Sequence, residues 1–348
     1  MKIREHYIDV AKGIAMILVI IGHITILPTW LYAWINSFHM PLFFFLSGMV
    51  YNPNKYDKFR DFFKAKFKGL IVPYFFLCLI IWVVARIFCN PDGFFKILTL
   101  QQFIGIFVSF RRSNFYASLW FFLALFFSEI LMYPIVKIID KKIIKEKIKS
   151  WLLSFIGIAL SIIGFIVLHY IKNGFFWSLD LVPLTTCFVM FGYIAKLNKE
   201  GFKKIVKLPA SLIYIVISVA FTYLNFKLYG ASSLYNSVVG NYIYYMLAAF
   251  AGTLFVITIC KKINKNRVLE YIGRNTITYY AFQKPVILPA ITAVVNTLGN
   301  NISILNNLAI KIIIITVLAV VVLGVISQMI VNTYPFILGR FKRQEKTI

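Results

Sequence analysis

The chain has 348 residues, of which 60% are apolar and 14% charged, and its mean hydropathy is +0.81. A soluble domain this apolar would have too little polar surface to face water, so the composition excludes an ordinary soluble protein. The formal charge of +25 suggests a nucleic-acid partner at first sight, but the lysines fall in short breaks between apolar stretches, which membrane topology explains better.

Apolar stretches of about twenty residues, the length that crosses a bilayer as a helix, recur along the whole chain. Continuous runs such as KIIIITVLAVVVLGVI lack the alternation of a transmembrane β-barrel. We therefore predict an all-α, polytopic transmembrane bundle that forms one membrane domain over residues 1–348, with no appended soluble domain. The predicted spans are 8–27, 34–51, 70–89, 118–138, 151–171, 179–195, 209–229, 241–260, 275–297 and 306–331.

The basic residues predict the orientation of these spans. The first apolar run lacks a cleavage site of small residues, so we expect a first span and not a cleaved signal. With a cytoplasmic N-terminus, most of the 37 Lys and Arg residues fall in cytoplasmic connections, as the positive-inside rule requires. The other connections contain only Lys96, Arg111, Arg112, Lys172, Lys227 and Lys311. This pattern predicts about ten spans with both termini cytoplasmic.

Two further features predict local structure. The long outer connection, residues 90–117, is apolar but interrupted by polar residues, which favours a helix or re-entrant segment at the outer interface. The cysteines lie in or beside apolar stretches without metal-ligand spacing, so we expect neither a disulfide nor a metal site. They are Cys78, Cys89, Cys187 and Cys260.

The first two spans contain most of the ionisable residues. Such residues are costly in hydrocarbon unless they find a partner or line a wet cavity, so they indicate a functional site. Asp9 and Lys12 lie three residues apart on one helix face, where we expect them to pair. His23 follows Lys12 by three helical turns, on the same face and about 16 Å further along the axis. In a hairpin of the two spans, His39 lies at a similar depth, which favours a functional pair over two packing residues.

Later spans contribute weaker candidates. Glu129 is too deep in span four to reach water, so we expect it to have a partner or to border a cavity. Arg86 lies near a span end, where its side chain can extend to the interface. The other polar candidates are Asp180, Gln283, Lys284 and Gln328. The outer aromatic residues suit either sugar stacking or an interfacial belt; they are Trp30, Tyr32, Trp34, Trp120 and Trp177.

The stretches IREHYIDVAKGIAMILVIIGHI and WINSFHMPLFFFLSGMVY resemble the start of the membrane-bound acyltransferase 3 family. That family has a D-x-x-R/K turn, a basic residue separated from a histidine by ten residues, and an F-H-M-P-L-F-F-x-x-S-G second span. Here these features are Asp9 with Lys12, Lys12 with His23, and Phe38 through Gly48. Weaker likeness continues in KFKGLIVPYFF, SLWFFLALF and YIGRNTITYYAFQ.

The resemblance implies a ten-span bacterial enzyme of the inner, cytoplasmic membrane that transfers an acyl group, usually acetyl, from cytoplasmic acyl-CoA to a sugar hydroxyl. The chain is similar to stand-alone members such as fucose 4-O-acetylases, capsule O-acetyltransferases and the enterobacterial common antigen O-acetyltransferase. It departs from the family in two places. Gln283 stands where many members have a histidine, and Lys64, Lys66 and Lys68 replace an arginine pair.

Acyl transfer to an alcohol needs a base for the hydroxyl, stabilisation of the oxyanion, and close approach of the two substrates. With the family as a guide, His23 is the expected general base, because imidazole titrates near neutral pH. His39 is expected to orient the acceptor or stabilise the oxyanion, and Asp9 completes the expected catalytic set. Direct transfer and a route through an acetyl-His23 intermediate both remain open.

The expected donor is acetyl-CoA, without a metal. Its phosphates are expected near Lys12, Lys64, Lys66 and Lys68, since lysine attracts phosphate as a point charge, although topology alone explains the loop lysines equally well. The acceptor is expected to be a glycan or a lipid-linked sugar. Its predicted contacts are Trp120, Glu129, Trp177, Asp180 and Gln283.

Two other functions remain compatible with the sequence. A transporter of a small polar substrate would use Asp9, Lys12, Glu129 and the histidines as a substrate or proton path. A sensor or scaffold with residual pocket residues is the other alternative. Acetyl-CoA should stabilise an enzyme thermally by mass action and should not affect a transporter that lacks a site for it.

Overall fold

The computed structural model describes residues 5–88, 100–109, 119–142, 145–171, 174–299, 302 and 307–340, and no side chains at 85–88, 100–102 and 285. Cys89 and the side chain of Arg86 therefore lie outside the described part. The predicted outer segment 90–117 is described only over 100–109, where a helix occupies Leu100–Val108.

The described residues form a bundle of helices. The helices of its first half are α1 (His6–Gly22), α2 (Thr29–Val50), α3 (Phe59–Lys66), α4 (Val72–Phe88), α5 (Leu100–Val108), α6 (Trp120–Lys142) and α7 (Glu146–Tyr170). Those of its second half are α8 (Val182–Leu197), α9 (Lys199–Ile205), α10 (Ala210–Tyr229), α11 (Tyr242–Ile263), α12 (Arg267–Arg274), α13 (Thr276–Phe282), α14 (Leu288–Gly299) and α15 (Leu308–Thr333). Short π-helical segments, Phe67–Ile71 and Gln283–Ile287, join α3 to α4 and α13 to α14.

Eight helices of the described part are long and apolar enough to cross a membrane. They are Thr29–Val50, Phe59–Val84, Trp120–Lys142, Glu146–Tyr170, Phe176–Leu197, Ala210–Tyr229, Tyr242–Ile263 and Leu308–Thr333. The prediction of an all-α, polytopic bundle is thus confirmed. The two other predicted spans take different forms, because α1 has only 17 residues and the ninth predicted span, 275–297, is divided into α13 and α14 by the π-helical segment Gln283–Ile287. The number ten stays a prediction.

Glycine allows α2 and α8 to pack with their backbones in contact. A Cβ atom on Gly48 would lie 1.9 Å from the carbonyl oxygen of Val189, and one on Gly192 would lie 1.9 Å from that of Phe45. Small residues at helix crossings permit such close approach within a membrane. This packing fixes the position of the second helix, which carries His39.

The two ends of the described chain meet at one end of the bundle. Nδ1 of His6 lies 3.1 Å from Oε2 of Glu270, and Nη2 of Arg274 donates to the same oxygen at 2.9 Å. Arg340 in turn donates to the carbonyl oxygen of Arg274 at 3.3 Å. We call this the Glu270 end, and the opposite end, where α1 stops before His23, the His23 end. A chain that crosses a membrane an even number of times has its two ends on the same side.

Candidate active site

A pocket of about 440 Å³ opens at the His23 end. It is lined by the residues that connect α1 to α2, the first turns of α2, one end of α6 and the α13 region. The connection between α10 and α11, residues 230–241, supplies Ser233, Leu234, Tyr235 and Asn236. We call this the outer pocket, after the side of the membrane that the distribution of lysine predicts for it.

The imidazoles of His23 and His39 both line the outer pocket. Nδ1 of His23 lies 2.8 Å from the carbonyl oxygen of Val19, and Nδ1 of His39 lies 2.7 Å from that of Ile35. A carbonyl oxygen can only accept a hydrogen bond, so each Nδ1 carries a hydrogen. The carbonyl partner thereby assigns the tautomer of each ring. In the neutral ring Nε2 is then the acceptor nitrogen. The hairpin geometry thus brings two rings of the same tautomer into one pocket.

Gln283 lies directly behind His23. Its side-chain amide is 3.2 Å from Nδ1 of His23, and it is buried. Nδ1 has one hydrogen, which it donates to Val19, so Gln283 serves as a second acceptor of the same N–H, through the amide oxygen after rotation of the amide. Gln283 therefore orients the imidazole of His23 and does not line the outer pocket.

A narrower pocket of about 160 Å³ contains Lys12. Apart from Lys12, Ser47 and Thr276, its lining is apolar or aromatic. Met40 and Tyr280 line both this pocket and the outer pocket, so these two side chains lie between the two cavities. We call it the inner pocket. From Lys12 to His23 the pockets follow one face of α1, as the spacing of these two residues predicts.

Lys66 pairs with Glu129 away from both pockets. Nζ of Lys66 lies 2.8 Å from Oε2 of Glu129, whose side chain is buried. The same ammonium lies over the rings of Tyr51 at 5.5 Å and Phe62 at 5.6 Å. Glu129 thus has the partner that its depth led us to expect.

Lys64 and Lys68 are exposed. The four lysines that the sequence suggests for the donor phosphates are therefore not gathered around one pocket: only Lys12 lines the inner pocket.

A third pocket, of about 590 Å³, lies at the Glu270 end. Its basic lining comes from five lysines of four chain segments, a set that the sequence did not single out: Lys55, Lys196, Lys199, Lys203 and Lys261. Glu5 also lines it and accepts from Lys199 at 2.7 Å. Asp9 belongs to this pocket, about 21 Å along α1 from His23. In the structure Asp9 is therefore remote from both imidazoles.

The remaining predicted acceptor residues occupy different positions. Trp120 is 4% exposed and lines the outer pocket. Trp177 instead donates from Nε1 to the carbonyl oxygen of Phe107 at 2.6 Å, which attaches it to α5. Asp180 accepts from the backbone N–H of Phe175 at 3.1 Å and from the hydroxyl of Ser237 at 3.5 Å, so it lies behind the loop of the outer pocket.

The contribution of the loop 230–241 to the outer pocket was not among the predictions. Asn225 of α10 holds it by donating to the hydroxyl of Ser232 at 2.8 Å and to the carbonyl oxygen of Val239 at 2.9 Å. The backbone N–H of Asn241 donates to the amide oxygen of Asn225 at 2.8 Å. The one sequence signal was the composition GASSLYNSVVGN, which is polar and rich in hydrogen-bonding side chains for so short a connection.

The bundle and its pocket define an integral-membrane protein whose polar site is embedded among the helices. A comparison with known protein families matches residues 5–328 to an acyltransferase domain, that of the acyltransferase 3 family. Because the match covers nearly the whole chain, the protein belongs to this family and is a membrane acyltransferase. Neither the curated proteins nor the solved structures contain a match.

Proposed function

We propose that the protein is an integral-membrane O-acetyltransferase that transfers acetyl from cytoplasmic acetyl-CoA to a hydroxyl of a cell-surface or lipid-linked glycan. His23 acts as the general base. The observation that carries this proposal is the pair of neighbouring pockets, both lined by Met40 and Tyr280. The donor takes the inner pocket, past Lys12, and the acceptor takes the outer pocket, with His23 on the acceptor side.

The tautomers suggest how the chemistry is divided. Nε2 of His23 accepts the hydroxyl proton as the acceptor oxygen bonds to the thioester carbonyl carbon. The carbon–sulfur bond then breaks, and the proton passes to the leaving thiolate of coenzyme A. His39 also presents Nε2 as an acceptor, so it orients the acceptor hydroxyls. The hydroxyl of Tyr280, between the two pockets, is a suitable donor to the oxyanion.

The inner pocket suits the arm of the donor. Pantetheine is a narrow chain that combines apolar and amide groups, and this pocket is mainly apolar with a few polar residues. The phosphates of coenzyme A then lie towards Lys12, Lys64 and Lys68. A lysine ammonium attracts phosphate as a point charge and does not fix its orientation. Lys66 contributes less, because its ammonium is paired with Glu129. This arrangement requires the Glu270 end to face the cytoplasm, in the inner membrane of a bacterial cell.

The proposal is tested with purified protein and labelled acetyl-CoA, by measuring transfer to glycan acceptors and slow hydrolysis in their absence. His23→Ala should reduce transfer by at least about 100-fold, the usual contribution of a general base. The matched control is His169→Ala, which removes an exposed histidine of α7. Acetyl-CoA should also raise the Tm of the wild-type protein. Normal transfer by a folded His23→Ala variant would contradict the mechanism.

A further inference from the structure

The outer pocket has one fixed charge. Its lining residues all belong to the described part; Lys284 is the single lysine or arginine among them, and none is an aspartate or a glutamate. The two imidazoles are neutral when they act as acceptors. A ligand in this pocket therefore meets a positive field that no lining carboxylate offsets.

Lys284 is presented to this pocket by an irregular turn. It belongs to the π-helical segment Gln283–Ile287, and Pro285 within that segment has no N–H for the helical ladder. Its side chain is exposed, and Nζ lies 5.0 Å from the ring centroid of Tyr235 in the loop 230–241. The ammonium is thus held over an aromatic face at the wall of the outer pocket.

Two other lysines, which lie on the long helices or beside them, have buried or half-buried carboxylate partners. Lys66 pairs with Glu129 at 2.8 Å, and Lys149 pairs with Asp140. Lys284 has the Tyr235 ring, but no carboxylate of the described residues forms an ion pair with it. A cation within a membrane helix is costly unless a partner compensates it, and it marks a functional position. An anionic group on a bound ligand would supply that partner.

We infer that the acceptor is an acidic sugar, whose carboxylate or phosphate group binds Lys284 while a nearby hydroxyl meets Nε2 of His23. This inference rests on the proposed acetyl transfer and names its substrate class. Tyr235 positions the ammonium, and the hydroxyl of Ser233 and the amide of Asn236 lie in the same pocket wall to bind the remaining sugar hydroxyls. The carboxylate of a uronic acid and the phosphate of a glycosyl phosphate share this chemistry.

The experiment compares matched acceptors with purified protein and labelled acetyl-CoA. Methyl glucoside is the neutral acceptor, methyl glucuronoside has a carboxylate, and glucose 1-phosphate has a phosphate. We expect kcat/KM for one acidic acceptor to exceed that for the neutral one by about tenfold. A partly desolvated pair between the Lys284 ammonium and the anionic group can stabilise the complex by this amount. Whichever acid is preferred identifies the anionic group. Equal use of all three acceptors would overturn the inference while leaving acetyl transfer established.

Variants at Lys284 test the residue itself. Lys284→Met should lower kcat/KM for the preferred acidic acceptor to the value for the neutral one, and Lys284→Arg should keep the preference. The control is Lys227→Met, which removes an exposed lysine near the same end of the bundle and should leave the preference unchanged. An equal proportional loss with acidic and neutral acceptors would assign Lys284 to the oxyanion or to folding and overturn the inference.

If Lys284→Met does not fold, the wild-type comparison of acceptors still decides. Absence of both transfer and acetyl-CoA hydrolysis in wild-type protein would instead refute the proposed function, and the inference with it.

Discussion

The side-chain amide of Gln283 lies 3.2 Å from Nδ1 of His23, although 260 positions separate the two residues in the chain. Together with the carbonyl oxygen of Val19, it holds the imidazole by one nitrogen and directs the other into the outer pocket.

Substitution of Gln283 should reduce the rate by disturbing the orientation of His23. We expect Gln283→Leu, which fills similar space without an acceptor, to lower kcat about tenfold while KM for acetyl-CoA stays nearly constant, because one neutral hydrogen bond is worth about 1 kcal/mol. Gln283→His should recover part of the rate. The pH dependence of kcat should shift in Gln283→Leu, since the environment of the base changes, and an unchanged profile would indicate a purely structural role.

Lys66 and Glu129 should stabilise the fold only when both side chains are present. Removing one partner leaves a buried charge uncompensated, which costs about 3 to 5 kcal/mol, whereas apolar replacement of both partners is often neutral. We expect Lys66→Met to lower the Tm in detergent substantially and the double variant Lys66→Met, Glu129→Met to regain most of it. Lys64→Met, which removes an exposed neighbour, is the control. A double variant that is less stable than either single variant would contradict this account.

Several parts of this architecture were predictable from the sequence because they depend on local spacing. The all-α, polytopic fold follows from apolar runs that are each long enough to span a bilayer, and it is confirmed. The shared pocket of His23 and His39 follows from helix periodicity and a tight hairpin between α1 and α2. The family was recognisable because its spacings fall within those two helices, and the match over residues 5–328 confirms it.

The rest depends on contacts between distant segments, which one sequence does not reveal. Lys66 and Glu129 lie on different helices, so nothing local indicated that their pairing would remove Lys66 from the predicted phosphate site. The loop 230–241 lies at the outer pocket through contacts with Asn225 and Asp180, which are distant from His23 in the chain. The division of the ninth predicted span was also missed, although Pro285 was visible within it. The catalytic and binding roles of the predicted residues stay predictions.

Protonation of Glu270 should weaken the junction between the two chain ends. The hydrogen bond from His6 holds the pKa of Glu270 below its usual value of 4.5, and the charge of Arg274 lowers it further. Because the folded-state pKa is the lower one, the stabilisation is complete above the usual value and is lost as the pH falls through the depressed value. We expect the Tm to fall with pH below about 4.5 and to fall less steeply in Glu270→Gln. Glu146→Gln, at the start of α7, is the control, and parallel curves for all three proteins would contradict this assignment.

Asp180 should affect the acceptor and not the donor. It accepts from Ser237 in the loop 230–241 and from the backbone of Phe175, but it contacts neither imidazole and does not line the inner pocket. Asp180→Ala should loosen the loop and raise KM for the acceptor several-fold, because the loop residues that line the outer pocket lose their fixed position. KM for acetyl-CoA should remain unchanged, since the donor route passes Lys12 on the other side of Met40.

Two further variants serve as comparisons. Ser237→Ala removes the same contact from the loop side and should reproduce the effect more weakly. Thr297→Ala changes an exposed position on α14 whose hydroxyl donates to its own helix, and it should have no effect. A rise in KM for acetyl-CoA in Asp180→Ala would show that the two pockets are not independent and would require a different division of the substrates between them.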